Sequence, residues 1–354
     1  MKNTKYSVIG VMSGTSLDGI DLAFVNFYKT QHRWTYSLMA AETLPYSEQW
    51  RNKLQEASLK TKSELEVLDQ DYTHYLAEKI RSFIDEKNLD EVVVCSHGHT
   101  VLHQPEQQMT YQIGNLPSLA TKIGKKVVCD FRVQDVALGG QGAPLVPIGD
   151  ELLFGEFDYC LNLGGFANVS FKKNKKRIAF DICPVNTVLN FYAQKLGKAY
   201  DEGGHIAQKN TVDSNLLNEL NALSFYQLKA PKSLGIEWVQ NFIFPLLEKS
   251  GLSSASIIAT FTEHVAQQIA KVCENSPTKK MLITGGGAFN SFLITRIHAH
   301  TPVQIVVPES LLIEYKEAVL FGFLGVLKMQ GEINVLKSVT GARQDHSSGK
   351  IYLP

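Results

Sequence analysis

An apolar run, Val8-Ile9-Gly10-Val11-Met12, feeds directly into Ser13-Gly14-Thr15-Ser16-Leu17-Asp18-Gly19, and a second apolar run, Leu22 to Phe27, follows at once. Strand, tight loop, strand is the natural reading of this pattern. Gly14 and Gly19 let the backbone turn sharply and approach a ligand closely. Thr15 and Ser16 offer hydroxyls and N–H groups to phosphate oxygens, while Asp18 and Asp21 are the residue type that faces a hydrated divalent cation. Two readings of the stretch stand side by side: a hairpin that holds a triphosphate, and an ordinary hairpin with a polar turn.

The rest of the chain bounds the choice. Its 354 residues correspond to roughly two domains. A hydrophobic content of 44% with 20% charged residues is that of a globular protein able to bury full cores. The 35 basic and 35 acidic residues cancel, so no overall field draws the chain to nucleic acid or to an anionic membrane, and a small-molecule partner is expected. Cys95, Cys129, Cys160, Cys183 and Cys273 are scattered without a C-x-x-C pair. The first three lie in strand-like runs and read as buried free thiols of a reducing compartment. With neither a signal-peptide pattern nor an apolar run of bilayer length, the expectation is a cytoplasmic protein.

Strand-like and helix-like segments alternate along the chain, which points to α/β layers. Ser63 and Glu66 form a capping-box pattern, and Leu65, Leu68, Tyr72, Leu76, Ile80 and Phe83 recur at helical spacing. That helix is expected to end near Asn88. Glu91 to Cys95 and Lys126 to Asp130 read as strands, the second ending in Asp130-Phe131-Arg132. The loop Leu138 to Pro144, rich in glycine, reads as a hinge or domain junction. The second half opens as the first did. Tyr159 to Leu163 is a strand, Gly164-Gly165 a turn, Ala167 to Phe171 the returning strand, and Arg177 to Phe180 a third strand that delivers Asp181 at its end. The basic run Lys172 to Arg177 lacks interleaved aromatics and reads as a solvated hairpin tip. Ser253 to Asn275 is a helix, Lys280 to Thr284 a strand leading into Gly285-Gly286-Gly287, and Glu314 to Met329 a late apolar helix. The strand, glycine turn, strand echo between the halves hints at duplication.

No G-x-x-x-x-G-K-[ST] run is present, which excludes a P-loop, and Gly285 to Asn290 misses the last glycine of a dinucleotide fingerprint. Three glycine-rich turns each follow a strand: Gly14 to Gly19, Gly164-Gly165 and Gly285 to Gly287. Each alone is a tight turn. Converging on one ligand, they would form a sugar-kinase or actin-like arrangement.

The motifs then become specific. Gly10 to Asp21, His97-Gly98 with Thr100-Val101, Gln112-Ile113-Gly114, Asp130-Phe131-Arg132, Ala137 to Pro147, Leu161 to Asn168, Ala230 to Ser233, Gly285 to Ala288 with Asn290, Glu317-Ala318 and Ser338 to Ala342 occur in that order. With these the chain resembles the anhydro-N-acetylmuramic acid kinases of the sugar-kinase, heat-shock and actin superfamily. The resemblance implies two ribonuclease-H-like (actin-like ATPase) α/β domains flanking a nucleotide cleft. The first would take 1–130 with 314–354 and carry the phosphate hairpin and part of the sugar pocket; the second, 131–313, would carry the catalytic aspartate and the adenosine site.

It further implies an ATP- and Mg²⁺-dependent kinase of peptidoglycan recycling, in which water opens the 1,6-anhydro bond while the γ-phosphoryl goes to the freed O6. Asp181 matches the catalytic base. Gly14, Thr15, Ser16, Leu17, Asp18, Gly19, Ile20 and Asp21 would cradle the ATP phosphates, with Asp18 orienting the hydrated Mg²⁺. Asn162, Gly164, Gly165 and Asn168 would meet the phosphates from the other domain, and Gly285, Gly286, Gly287 and Asn290 the adenosine side. His97, Gln112, Asp130, Arg132 and Glu317 are the sugar-pocket candidates. Arg132 would fork onto the lactyl carboxylate, or else form an ordinary salt bridge. A homodimer is the family expectation, with neither nucleic acid nor membrane as partner.

The departures fall close to the chemistry. Where the family commonly reads Asp-Thr-Gly-Pro-Gly-Asn, this chain has Asp181-Ile182-Cys183-Pro184-Val185-Asn186, so any left-handed backbone at Cys183 or Val185 would be costly. His99 stands where glutamine is usual, and Tyr315-Lys316 precede Glu317 where an acidic residue is common. Two other readings follow: a non-catalytic or altered-substrate sugar or nucleotide binder on the same fold, and a zinc hydrolase using His97, His99 and His103. The lack of a helix-turn-helix extension counts against a DNA-binding regulator.

Overall fold

The computed structural model describes residues 4–14, 16–31, 33–274 and 276–354. It divides into two compact units, Met1–Leu153 with Tyr315–Pro354, and Phe154–Glu314. Residues 131–153, assigned above to the second domain, therefore belong to the first. In chain order the strands are β1 (Thr4–Ser13), β2 (Gly19–Lys29), β3 (Trp34–Pro45), β4 (Val93–Gln104), β5 (Met109–Ile113), β6 (Val127–Cys129), β7 (Tyr159–Leu163), β8 (Phe166–Lys173), β9 (Lys176–Pro184), β10 (Lys280–Thr284), β11 (Gln304–Val306) and β12 (Lys350–Tyr352).

In the first unit the sheet order is β12-β6-β4-β1-β2-β3, with β5 folded back on β4. β1, β2 and β3 form an antiparallel meander, and β4 and β6 continue it in parallel. In the second unit β7, β8 and β9 form the same meander, and β10 and β11 run parallel to β7. Both units thus share one ribonuclease-H-like order, and the echo between the halves is a repeated topology.

Alternation explains how the first sheet is covered on both faces. Ile9, Val11, Ile20 and Leu22 pack with Leu65, Leu68, Tyr72, Leu76, Ile80 and Phe83 of the helix Lys62–Glu86. Each such side chain stabilises the unit by roughly 1.5–3 kcal/mol at most. Gly10, between Ile9 and Val11, faces the other way, onto the helix Ser310–Met329. A Cβ there would lie 1.9 Å from Ala318 O, so only glycine lets the helix backbone touch the strand. Gly322 and Gly325 continue the contact against Gly10 and Cys95. The β1–β2 hairpin and the helix that carries Glu317 are thereby packed along one close seam.

Local readings shift where two frames compete. The helix starts at Lys62 with Thr61 and Glu64 as the reciprocal capping box, two residues before the Ser63 and Glu66 expected. The S/T-x-x-E spacing occurs twice, and the earlier frame adds two helical residues. β4 runs on to Gln104 rather than stopping near Cys95, because β5 pairs with its distal half, Thr100 opposite Gln112 and His103 opposite Thr110. His97, His99 and His103 all lie within β4. The Leu138 to Pro144 loop is no free hinge. Gln141 N–H donates to Thr340 O (2.8 Å), Arg343 N–H to Leu138 O (3.0 Å), and Gly142 N–H to the fully buried Asp135 carboxylate (2.7 Å). Among the described residues no helix is long and apolar enough to cross a membrane.

Candidate active site

Each unit gathers its own set of the expected residues. In the first, β1 ends on Ser13, whose hydroxyl meets His99 Nδ1 (2.8 Å) and Tyr46 Oη (2.6 Å); Tyr46 Oη in turn meets Tyr72 Oη (2.6 Å). Burial lowers His99 to about 4 and raises Tyr46 to about 12, so this chain is uncharged near neutral pH. It is a firm polar foot for the loop 14–18. Thr15 lies outside the described residues. Ser16 and Asp18 are exposed and Ile20 is buried.

Leu17 N–H donates to Gly14 O (3.4 Å), and the left-handed position is Leu17, at φ 60°, not Gly14. Gly19 is needed for a different contact: a Cβ there would sit 2.5 Å from Leu44 O of β3. Asp21 accepts from Thr43 Oγ1 at 2.7 Å.

The sugar-pocket candidates separate into a cluster and two outliers. Arg132 Nε donates to His97 Nε2 at 2.8 Å, and His97 Nδ1 lies 2.8 Å from Gly98 O. That pairing puts the proton of the neutral imidazole on Nδ1. Arg132 Nη1 donates to Gly142 O at 2.6 Å, and its guanidinium lies 5.9 Å from the centre of the Phe321 ring. Phe321 is one helical turn from Glu317, so the two share a face.

Burial draws Arg132 down to about 10, with Glu317 and Asp135 opposing. Glu317 is open to solvent, yet enough protein surrounds its carboxyl to raise it; Arg132 opposes that shift and Asp21 adds to it. His97 is buried with both ring nitrogens engaged, so it acts on a ligand only through Arg132.

Asp130 has a different partner: at φ 60°, it pairs with Lys350 Nζ at 2.7 Å. Gln112 is buried on β5, its Nε2 donating to Thr110 Oγ1 (2.7 Å) and its Oε1 without a partner. Asp135, which the sequence reading passed over, anchors this region; only its contacts, distant in sequence, reveal it.

In the second unit the strand register places Thr284, Asn162, Asn168 and Asp181 in one row across β10, β7, β8 and β9. Direct register partners point to one face, at about 5 Å per strand. Thr284 is the member that sequence reasoning missed; it is buried and reads locally as the end of an apolar strand. Above the row the glycine turns converge. Gly285 has φ 82°, and a Cβ on it would meet Asn162 Oδ1 at 2.6 Å and Leu163 O at 2.8 Å. A Cβ on Gly287 would meet Leu163 Cβ at 2.7 Å.

Val185 N–H donates to Gly165 O (2.8 Å), Asn186 N–H to Gly164 O (3.3 Å) and Asn186 Nδ2 to Leu163 O (3.4 Å). The Gly164-Gly165 turn is thus held by the segment after Asp181. Asn290 caps the helix Ser291–His300 by accepting from Leu293 N–H at 2.9 Å, a structural use of its oxygen.

Asp181 is not at a strand end, since β9 continues to Pro184. Ile182 and Cys183 are buried apolar residues that extend the strand, and neither Cys183 nor Val185 has a positive φ. At Cys183 the lost family glycine is accommodated by extended strand, whereas Val185, at φ −133° and ψ −94°, lies outside the extended region and leads into the helix Asn186–Gln194. Asp181 is half-buried and forms no ion pair among the described residues, and desolvation raises its carboxyl, opposed by the Leu234 N–H (2.9 Å to Oδ2). A half-buried carboxylate without a cation, at the end of a polar row, can take up a proton from water.

The histidines do not build a zinc centre. Among the described residues no group of three His, Cys, Asp or Glu is placed to hold a metal ion.

Comparison with known proteins agrees with this geometry. The family model described as anhydro-N-acetylmuramic acid kinase matches residues 6–354. The anhydro-N-acetylmuramic acid kinase of Shewanella pealeana is 34% identical over 378 aligned residues, covering 99% of each chain. That of Haemophilus influenzae is 34% identical with 97% of each chain covered, and that of Hydrogenovibrio crunogenus 31% with 98% of each. A family match over nearly the whole length, with each unit independently gathering its share of the motif residues, leads to one assignment: this chain belongs to the anhydro-N-acetylmuramic acid kinase family.

Proposed function

We propose that the protein is an ATP-dependent kinase that opens the 1,6-anhydro ring of anhydro-N-acetylmuramic acid with water and phosphorylates O6, giving N-acetylmuramic acid 6-phosphate for peptidoglycan recycling. Asp181 carries the reading: a half-buried carboxylate, free of a cation, with one oxygen held by a backbone N–H. Asp181 takes a proton from water as the water oxygen bonds to the anomeric carbon. The bond from that carbon to O6 breaks, and O6 bonds to the γ-phosphorus as ADP leaves. Desolvation of Asp181 raises its basicity toward the working pH.

Arg132, braced by His97 and the Gly142 carbonyl, holds the lactyl carboxylate as a planar fork. Glu317, on the same side of Arg132, accepts from sugar hydroxyl or amide groups. Ser16 to Asp21 receive the phosphates in the first unit, with Asn162, Gly164, Gly165 and Gly285 to Gly287 holding the nucleotide in the second. The loop fits a phosphate-bound cation. Asp18 offers one exposed carboxylate, and a Mg²⁺ that keeps its waters and phosphate oxygens needs no protein cage. When bound, that cation neutralises the charge that develops on the transferring phosphoryl.

Mass spectrometry after incubation with Mg·ATP and the anhydro sugar tests the proposal. The expected product gains one phosphoryl group and one water, and Asp181→Asn loses it while still binding nucleotide. A product with phosphoryl but no water, or an Asp181→Asn variant at near-normal turnover, would sink the assignment.

A further inference from the structure

A segment distant in sequence grips Asp181 twice. Asp181 N–H donates to Lys232 O at 3.0 Å, and Leu234 N–H donates to Asp181 Oδ2 at 2.9 Å. The strap Lys232 to Leu234 thus runs beside the outer edge of β9, the last strand of its sheet, and binds both the main chain and the carboxylate of one residue. Lys232 is itself anchored: Nζ donates to Phe225 O at 3.1 Å and lies 4.4 Å from the centre of the Phe225 ring. Exposed edge strands present free N–H and C=O groups, and here those groups are used to fix a side chain.

We infer that Leu234, through its backbone N–H, is a positioning residue for the reaction, holding Asp181 Oδ2 so that Oδ1 is the oxygen presented to water. The inference rests on Asp181 being the base. A carboxylate with one oxygen tied to a fixed donor loses rotational freedom about its terminal torsion, which is otherwise broad. An N–H aimed at the ionised form also favours that form. The strap therefore sets both where the proton goes and the pH at which the base is available. It also explains how this chain keeps a defined base although the segment after Asp181 departs from the family pattern: the support comes from 232–234, outside the altered run.

The remaining titratable groups around Asp181 do not substitute for the strap. Cys183, next but one on β9, and Tyr226 are held protonated by burial. The Lys232 ammonium is engaged with Phe225.

The test removes one donor. In an amide-to-ester exchange at Leu234, the N–H is replaced by an oxygen and the side chain kept; Leu234→Pro removes the same donor by a simpler route, and Leu234→Ala retains it. The acid limb of the kcat/KM profile against pH is expected to move up by about one unit in the ester and proline variants, and to stay in place for Leu234→Ala. Should the proline variant misfold, the ester variant decides. An acid limb unmoved in a folded, nucleotide-binding ester variant would overturn the inference, provided Asp181→Asn is inactive. Near-normal turnover by Asp181→Asn would instead overturn the assignment of the base.

Discussion

Replacing Asp135 by alanine gives the sharpest separation between a filler residue and an anchor. Its carboxylate is fully buried and accepts from Gly142 N–H and Thr340 Oγ1, each at 2.7 Å, with His346 Nε2 3.6 Å away. Hydrogen bonds to an ionised group contribute about 1.5–3 kcal/mol each, and alanine leaves two donors buried without a partner. Relief of the carboxylate's own desolvation offsets part of that, so the net loss is about 3–5 kcal/mol. For a unit of this size that is a fall in Tm of about 6–20 °C.

Asp135→Asn should cost less, about 1–2 kcal/mol, because its amide oxygen accepts from Gly142 while the Thr340 hydroxyl turns to accept from the amide nitrogen. The same loosening reaches Arg132, whose Nη1 donates to Gly142 O, so KM for the acidic sugar should rise with little change in kcat. Urea or thermal unfolding with parallel kinetics measures both. Alanine and asparagine variants of equal stability, or an alanine variant within about 0.5 kcal/mol of wild type, would refute the reasoning.

Gly10→Ala should destabilise the first unit by about 2 kcal/mol or more, since its Cβ would meet Ala318 O at 1.9 Å and neither backbone can yield cheaply; an unchanged denaturant midpoint would contradict the seam. His99→Gln should keep the Ser13 hydrogen bond and nearly full activity, and should flatten the acid side of the stability curve. Because His99 is lowered to about 4 in the folded state, its contribution is complete above the ordinary value of about 6.5 and lost as pH falls from there to about 4. Unfolding measured between pH 7 and 4 on both proteins checks that sign. Arg132→Lys should raise KM for the sugar at least tenfold while leaving KM for ATP within about twofold, because a lysine cannot fork onto a carboxylate while bonding His97 and Gly142; equal loss for both substrates would remove Arg132 from the sugar side.

How far the sequence could be read depended on the range of the forces involved. β7, β10 and the β1–β2 hairpin were visible because apolar patterning and turn residues are local, and the repeated topology followed from them. The distal half of β4 was not, because His97 to Gln104 is polar and becomes strand only when β5 pairs with it. The same applies to residues 131–153. Their glycine-rich loop looks like a linker until Asp135, Thr340 and Arg343 are brought together across some two hundred residues of chain. Residues named from the motif differ in their surroundings for the same reason. Asn162, Asn168 and Asp181 share one row of the sheet, whereas Asp130 is paired with Lys350 of β12 and the Asn290 oxygen caps a helix, uses that no spacing rule announces.

The altered run after Asp181 shows the same dependence on distant contacts. Losing two glycines would be expected to distort the turn beneath the base, since a β-branched or thiol side chain resists a left-handed backbone. At Cys183 the chain avoids the conflict by staying in the strand, and neither Cys183 nor Val185 takes a positive φ. Ile182 and Cys183 stay extended and buried, and the bulge opposite Ala167 and Asn168 absorbs the change in register. The carboxylate keeps its place in the row because Asn168 fixes its register on one side and the Lys232 to Leu234 strap fixes it on the other. Consequently, restoring Cys183→Gly would supply a freedom that the present backbone does not use and would leave a void in the apolar packing around Cys183. That substitution should lower stability by about 1–2 kcal/mol without improving turnover; a gain in kcat would mean that the glycine turn, and not the extended strand, is the form in which the base works.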